Sequence, residues 1–187
     1  MDSDKYFCNC QYDVITEDAT LNRLDTRDGR LVLPDGMNYR VLVLHPSTKV
    51  SLPVLRKVKD LVARGATVLM PRPDSASGMA ECQKHDQEAN SIAAELLGDA
   101  PSGQSVERPF GKGRALSGKT AREVLLEKGV TPDFSFTDDG SSAPVPYIHR
   151  KTSDADIYFL ASRLDQPRTI QTTFRVSGRA PELWNPP

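Results

Sequence analysis

Nowhere do the 187 residues contain an apolar run approaching the roughly 18 needed to cross a bilayer, so no membrane-spanning helix is expected. An excess of charge of one sign is missing too: 24 Lys and Arg stand against 25 Asp and Glu, a formal net charge of −1. No global field draws such a chain to nucleic acid or to an anionic membrane. The N-terminal MDSDKYFCNC is acidic and has no apolar centre, so it does not read as a signal peptide. Cysteine is sparse, and three of them cannot all pair internally, which excludes a disulfide scaffold. A G-x-S-x-G elbow is absent, and with it the nucleophile mount of a serine hydrolase. What remains is an ordinary globular composition, 38% hydrophobic and 26% charged, enough for one domain or a small domain with part of a second.

The patterning alternates between two periods. Tyr12–Ile15 reads as a short strand, and Thr16 with Glu17 and Asp18 opens a helix carrying Leu21 and Leu24. RLVLPDGM (30–37) reads as a strand meeting a turn. The run Tyr39–Leu44 predicts a central strand covered on both faces. Ser51 caps a helix whose Leu52, Leu55, Val58, Leu61 and Val62 keep helical spacing, with Gly65 as its stop. Ala66–Met70 is the next buried strand, and residues 71–86 are expected to be loop. A helix through Ile92, Ala93, Leu96 and Leu97 ends at Gly98, residues 99–110 are read as loop, and a last helix runs from Thr120 to about Lys128. This order predicts an α/β domain, a parallel sheet with helices on both faces, over residues 1–143. Residues 144–187 change to an antiparallel β appendage, with strands at Ala155–Ala161 and Arg168–Val176 joined as a hairpin through SRLDQP.

One segment, GRALSGKT (113–120), satisfies the phosphate-binding pattern G-x-x-x-x-G-K-[ST] through Gly113, Gly118, Lys119 and Thr120. A working loop of this kind follows an apolar strand. Here VERPFGK precedes it, proline included, and the strand-like residues lie inside the motif. Thr120 also opens the T-x-x-E form of a capping box with Glu123. The expectation is a strand and a helix cap, with no nucleotide and no other cofactor.

Other chemistry is thinner. Cys8, Cys10, Cys82 and His85 have zinc-ligand types in the order C-x-C … C-x-x-H, against a plain reading as loop and linker residues. His45 follows the best strand, on the edge where open α/β sheets bind ligands. Glu81 and the pairs Asp138/Asp139 and Asp154/Asp156, the second pair flanking a strand start, are the acids available to a small glycosidase, which needs two carboxyls about 5–9.5 Å apart across a cleft. Acids in turn-rich segments are more often solvated turn formers.

Four long phrases together carry a resemblance: YDVITEDATLNRLDTRDGRLVLPDGMNYRVLVL, SLPVLRKVKDLVARGATVLMPRP, GKGRALSGKTAREVLLEKGVTPDF and HRKTSDADIYFLASRLDQPRTIQTTFRVSGRAPELWNP. Their order resembles the region after the catalytic barrel in family 106 α-L-rhamnosidases, over about Tyr12 to Pro186. The resemblance implies a flavodoxin-like domain of the class I glutamine amidotransferase type, without its nucleophile, followed by the start of a β-sandwich. It also implies that the chain begins partway into the α/β domain, without its first strand. No catalytic residue carries over, since the family's catalytic glutamates and calcium site belong to the barrel.

The function that follows is an accessory, non-catalytic module of a secreted or periplasmic glycoside hydrolase. Its expected partners are the rest of the parent enzyme, a carbohydrate, or a second copy through Ile170, Phe174 and Val176, with no nucleic acid or membrane. Two rivals stand beside it: a self-sufficient glycosidase using the loop acids, and a small-ligand or nucleotide-binding flavodoxin-like domain.

Overall fold

Successive residues of a strand point to opposite faces, so alternation along a few short strands assigns each helix to a layer. The computed structural model describes residues 12–45, 50–72, 82–99, 101, 103–138, 145–162 and 164–184, leaving aside the side chains of 82–84 and 138. The fold is mixed α/β, with four helices and several small sheets among these residues. The chain divides into two compact units, Met1–Gly129 and Val130–Pro187.

In the first unit, α1 (Glu17–Asn22) is capped by Thr16, whose hydroxyl accepts from the Ala19 amide at 3.3 Å. Strands β1 (Asp25–Arg27) and β2 (Arg30–Val32) form a hairpin across Asp28 and Gly29, at φ of 51° and 72°. Left-handed backbone at both turn positions is what a tight two-residue hairpin demands, and Asp-Gly supplies it. Strand β3 (Asn38–Tyr39) extends this sheet antiparallel to β2.

The principal sheet has the order β4-β5-β7-β6, from β4 (Leu42–Val43), β5 (Thr67–Leu69), β6 (Val106–Phe110) and β7 (Gly113–Ser117). The first three in space run parallel, and β6 is antiparallel to β7. Val68 and Ala115 join one apolar cluster with the buried faces of α2 (Leu52–Ala63) and α3 (Cys82–Leu97). Leu69 and Leu116, one residue on, join a second cluster with Ala121 and Val124 of α4 (Ala121–Glu127). Helices therefore cover both faces of this sheet. Gly113 is fixed by crowding: a Cβ there would lie 2.3 Å from the Ala66 carbonyl oxygen and 2.4 Å from that of Val62.

Several expectations are corrected. Tyr12–Ile15 forms no strand, and Tyr12 and Val14 are exposed. The run Tyr39–Leu44 serves two sheets: Tyr39 pairs with Leu31, the chain bends at Arg40, and Leu42 pairs with Val68. Among the described residues β4 lies at the sheet's edge, and the inner strands are β5 and β7. Residues 82–86 are helical, not loop. Within the expected 99–110 loop lies β6, whose Pro109 sits on an outer strand, where the missing amide proton is tolerated.

The second unit contains β8 (Phe134–Asp138), β9 (Tyr147–Lys151), β10 (Asp156–Leu160) and β11 (Ile170–Phe174). β10 and β11 do not form the expected hairpin; β10 pairs with β9, and β11 with β8. That second pairing draws the chain from Val130 onward into this unit, so the division falls earlier than residue 143. The interior is aromatic. Phe134, fully buried, lies 5.0 Å from the Tyr147 ring and 5.3 Å from that of Phe174, which in turn lies 4.7 Å from Tyr158. Phe174 thus packs within its own unit, while Ile148, Ile157 and Phe159 are the exposed apolar side chains of β9 and β10.

Candidate functional site

The phosphate-loop segment is strand and cap. β7 is bonded to β5 on one side and β6 on the other. Gly118 turns the chain at φ 70°, and Thr120 caps α4. The Thr120 amide donates to the Glu123 carboxylate at 2.6 Å and the Glu123 amide returns to the Thr120 hydroxyl at 3.2 Å, closing a capping box. The bond from the Thr120 amide holds the Glu123 carboxyl below its usual range. Lys119 lies 2.8 Å from Glu127 and 3.3 Å from Glu107; chiefly the Glu127 bond raises its pKa. Its ammonium is thus committed to two carboxylates.

His45 follows β4 at the carboxyl edge of the parallel strands and is half-buried. Ser47 and Lys49, its sequence neighbours, lie outside the described residues. So do Glu81, Asp139, Cys8 and Cys10. Asp138 ends β8, its backbone opposite Ile170, and Cys82 begins α3 three residues before the half-buried His85. Among the described residues no three His, Cys, Asp or Glu side chains converge as metal ligands.

Two constellations escaped the sequence reading. The first fills the second unit. His149 Nδ1 lies 2.8 Å from Asp133 and its Nε2 lies 3.0 Å from Asp156. The ring stacks on Tyr158, directly opposite on β10, at 4.1 Å and 7°. Tyr158 donates to Asp133 at 3.1 Å; Arg175 reaches Asp133 at 3.2 Å and Arg179 lies 3.5 Å from Asp156. Burial, and then the Asp133 charge, push the Tyr158 phenol up to about 12. Each ring nitrogen of His149 thus meets a carboxylate oxygen, and the ring links the two acids. Alternation along D-I-Y-F-L already placed Asp156 and Tyr158 on one face; nothing in the sequence aligned them with His149 or Asp133.

The second is a cleft of about 510 Å³ in the first unit, at the amino ends of β5 and β7. Thr67, Glu107, Lys112, Arg114 and Lys128 line it. Lys128, at the end of α4, donates to the Thr67 hydroxyl at 2.9 Å. Its pKa is lowered, first by burial and then by the charges of Arg114 and Arg40. Glu107 is engaged by Arg114 at 2.6 Å and by Lys119 at 3.3 Å. Burial works against ionising Glu107, but the Lys119 and Arg114 bonds hold it below the usual range.

Comparison with known proteins decides the family: a model described as alpha-L-rhamnosidase, of glycoside hydrolase family 106, matches residues 4–187. The chain belongs to that rhamnosidase family. A relative from Formosa agariphila, carrying a provisional β-glucuronidase name, is 31% identical over 173 residues, covering 92% of this chain and 14% of the relative. The solved structure of a rhamnosidase from Novosphingobium sp. PP1Y is similar with a TM-score of 0.76 and 29% identity, over 94% of this chain and 16% of that one. The chain therefore corresponds to a partial region, about one seventh of the length of these two relatives.

Proposed function

We propose that this chain is a non-catalytic, architectural region of a rhamnosidase-like glycoside hydrolase that acts in polysaccharide degradation outside the cytoplasm. The carrying observation is the state of the buried Asp133 and the half-buried Asp156. Asp133 and Asp156 are bridged by His149 and further occupied by Tyr158, Arg175 and Arg179. A hydrolytic acid and its partner must face a sugar, one proton-bearing and one ionised. These two face the same ring, and each meets an arginine of its own, Arg175 at Asp133 and Arg179 at Asp156, so their work is to hold strands together. The region's small share of each relative's length supports the same reading.

The finer fold belongs to this proposal. Three parallel strands with helices on both faces support a flavodoxin-like, amidotransferase-like body. The partner is then the remainder of the parent hydrolase.

Purified chain offered nitrophenyl α-L-rhamnoside and related glycosides tests this directly. No turnover above buffer is expected. Turnover abolished by Glu81→Gln, Asp138→Asn or Asp139→Asn would instead establish a self-sufficient glycosidase. Saturable ATP or flavin binding that raises the melting temperature and is lost in Lys119→Ala would establish a nucleotide module.

A further inference from the structure

The cleft at the amino ends of β5 and β7 holds cationic groups in excess of its anions. Lys112, Arg114 and Lys128 line it against Glu107, the one carboxylate on its wall among the described residues. Both oxygens of Glu107 are already engaged, one by Arg114 and the other by Lys119. Lys128 has a hydroxyl for its partner, and no carboxylate of the described residues lies within ion-pair distance of it or of Lys112. Arg40 and Arg30 add further positive potential at Lys128. A half-buried ammonium among like charges is unfavourable unless an anion joins it.

The walls are built for access. Thr67 is buried, yet its hydroxyl borders the cleft, accepting from Lys128 and keeping its own proton to donate. Gly29, Gly65 and Gly113 contribute no side chains to fill the space. A volume of about 510 Å³ far exceeds that of an inorganic ion and falls within the range of small-molecule sites, roughly 300–1,000 Å³.

We propose that this cleft binds an oxyanion carried on a small polar molecule, such as the carboxylate of an acidic sugar, between Lys128, Arg114 and Lys112 with the Thr67 hydroxyl as an added donor. The site lies at the opposite end of the parallel strands from the carboxyl edge that holds His45, and it stands independently of the architectural reading. Bound anion offsets the mutual repulsion of Lys128, Arg114 and Arg40, so occupancy and a fully charged Lys128 reinforce each other.

The test is a titration of the whole chain, followed by amide chemical shifts and calorimetry at constant ionic strength, with galacturonate, galactose and sodium sulfate. Galacturonate is expected to bind saturably, with shifts at Thr67, Arg114 and Lys128, and neutral galactose is expected not to bind. Lys128→Met is expected to weaken binding at least tenfold. Lys112→Met, at an exposed position with little bearing on folding, is expected to weaken it severalfold. Sulfate binding without galacturonate binding would reduce the cleft to a free-ion site and overturn the proposal of a carried oxyanion. Equal response to galactose and galacturonate, or galacturonate binding undiminished in both folded variants, overturns the proposal.

Discussion

The two units of this chain are stabilised by different physics. In Met1–Gly129 the interior is aliphatic: Leu55, Val58, Leu61, Val62, Val68 and Leu96 are fully buried around one sheet face. In Val130–Pro187 the buried apolar residues, among those described, are Phe134 and Val145, and only Phe134 of the two is fully enclosed. Aromatic edges and a chain of hydrogen bonds through Asp133, His149 and Asp156 do the rest. Apolar burial is non-directional and forgives changes of shape. A chain of polar groups in the interior is directional and leaves partners unsatisfied when one member is lost. Two-stranded sheets such as β9–β10 and β8–β11 have little else to rely on.

The sharpest way to break this contrast is to remove His149. His149→Ala leaves Asp133 and Asp156 facing each other's charge with their central donor gone, at an expected cost of about 3–5 kcal/mol. Hydrogen exchange should show protection lost first at the amides of β9 and β10. Protection unchanged there would mean the polar chain is decoration. In the first unit, Leu55→Ala should cost about 2–5 kcal/mol by opening a cavity in a fully buried site, read from denaturant midpoints. Leu55→Met should cost less than about 1.5 kcal/mol, because the volume is nearly kept. His149→Gln, also of similar size, should be tolerated far less well than Leu55→Met, since one amide cannot replace bonds on both sides of a ring. Similar losses for the two conservative changes would erase the distinction.

These differences bear on what the sequence could reveal. Helices α2 and α4 were legible because their signals are local: spaced leucines and valines in one, the Thr120–Glu123 box in the other. β5 was legible as a short apolar run. The misreadings arose where a partner distant in sequence decides. Val106–Phe110 looks like loop, with its proline and charges, until β7 is beside it. Tyr39–Leu44 is one apolar run locally, yet its halves bond to Leu31 and Val68. The Asp28-Gly29 turn was a missed local signal, since that dipeptide between short β-prone runs marks a hairpin. For the polar sites the limit was stricter. Asp133, His149, Asp156 and Arg175 lie in four separate segments, and only the pairings β9–β10 and β8–β11 bring them together.

A smaller effect tests whether the first unit too depends on directional bonds at its margins. Thr120→Ala removes the hydroxyl that accepts from the Glu123 amide, and should lower stability by about 1 kcal/mol. Thr120→Ser keeps that acceptor and should stay near the parent in thermal melts. Loss in both variants would point to the threonine methyl, and to packing, as the source of stability.

The smallest effect is confined to alkaline solution. The Tyr158 phenol sits near 12 in the folded chain, against 10.0 for an ordinary tyrosine, because burial and the Asp133 carboxylate both oppose a phenolate. Between those values the folded state holds a proton that the unfolded state has released. The contribution of Tyr158 is therefore complete below pH 10 and is lost as the pH rises through about 12. Urea midpoints measured from pH 9 to 12 should fall, and part of the fall should disappear in Tyr158→Phe, which keeps the ring on His149 but has no proton to lose. A phenylalanine variant with an undiminished slope would place the alkaline sensitivity in other groups, and would separate the stack on His149 from the hydrogen bond to Asp133 as the feature that matters. No comparable slope can come from Leu55 or Val58, which have nothing to titrate.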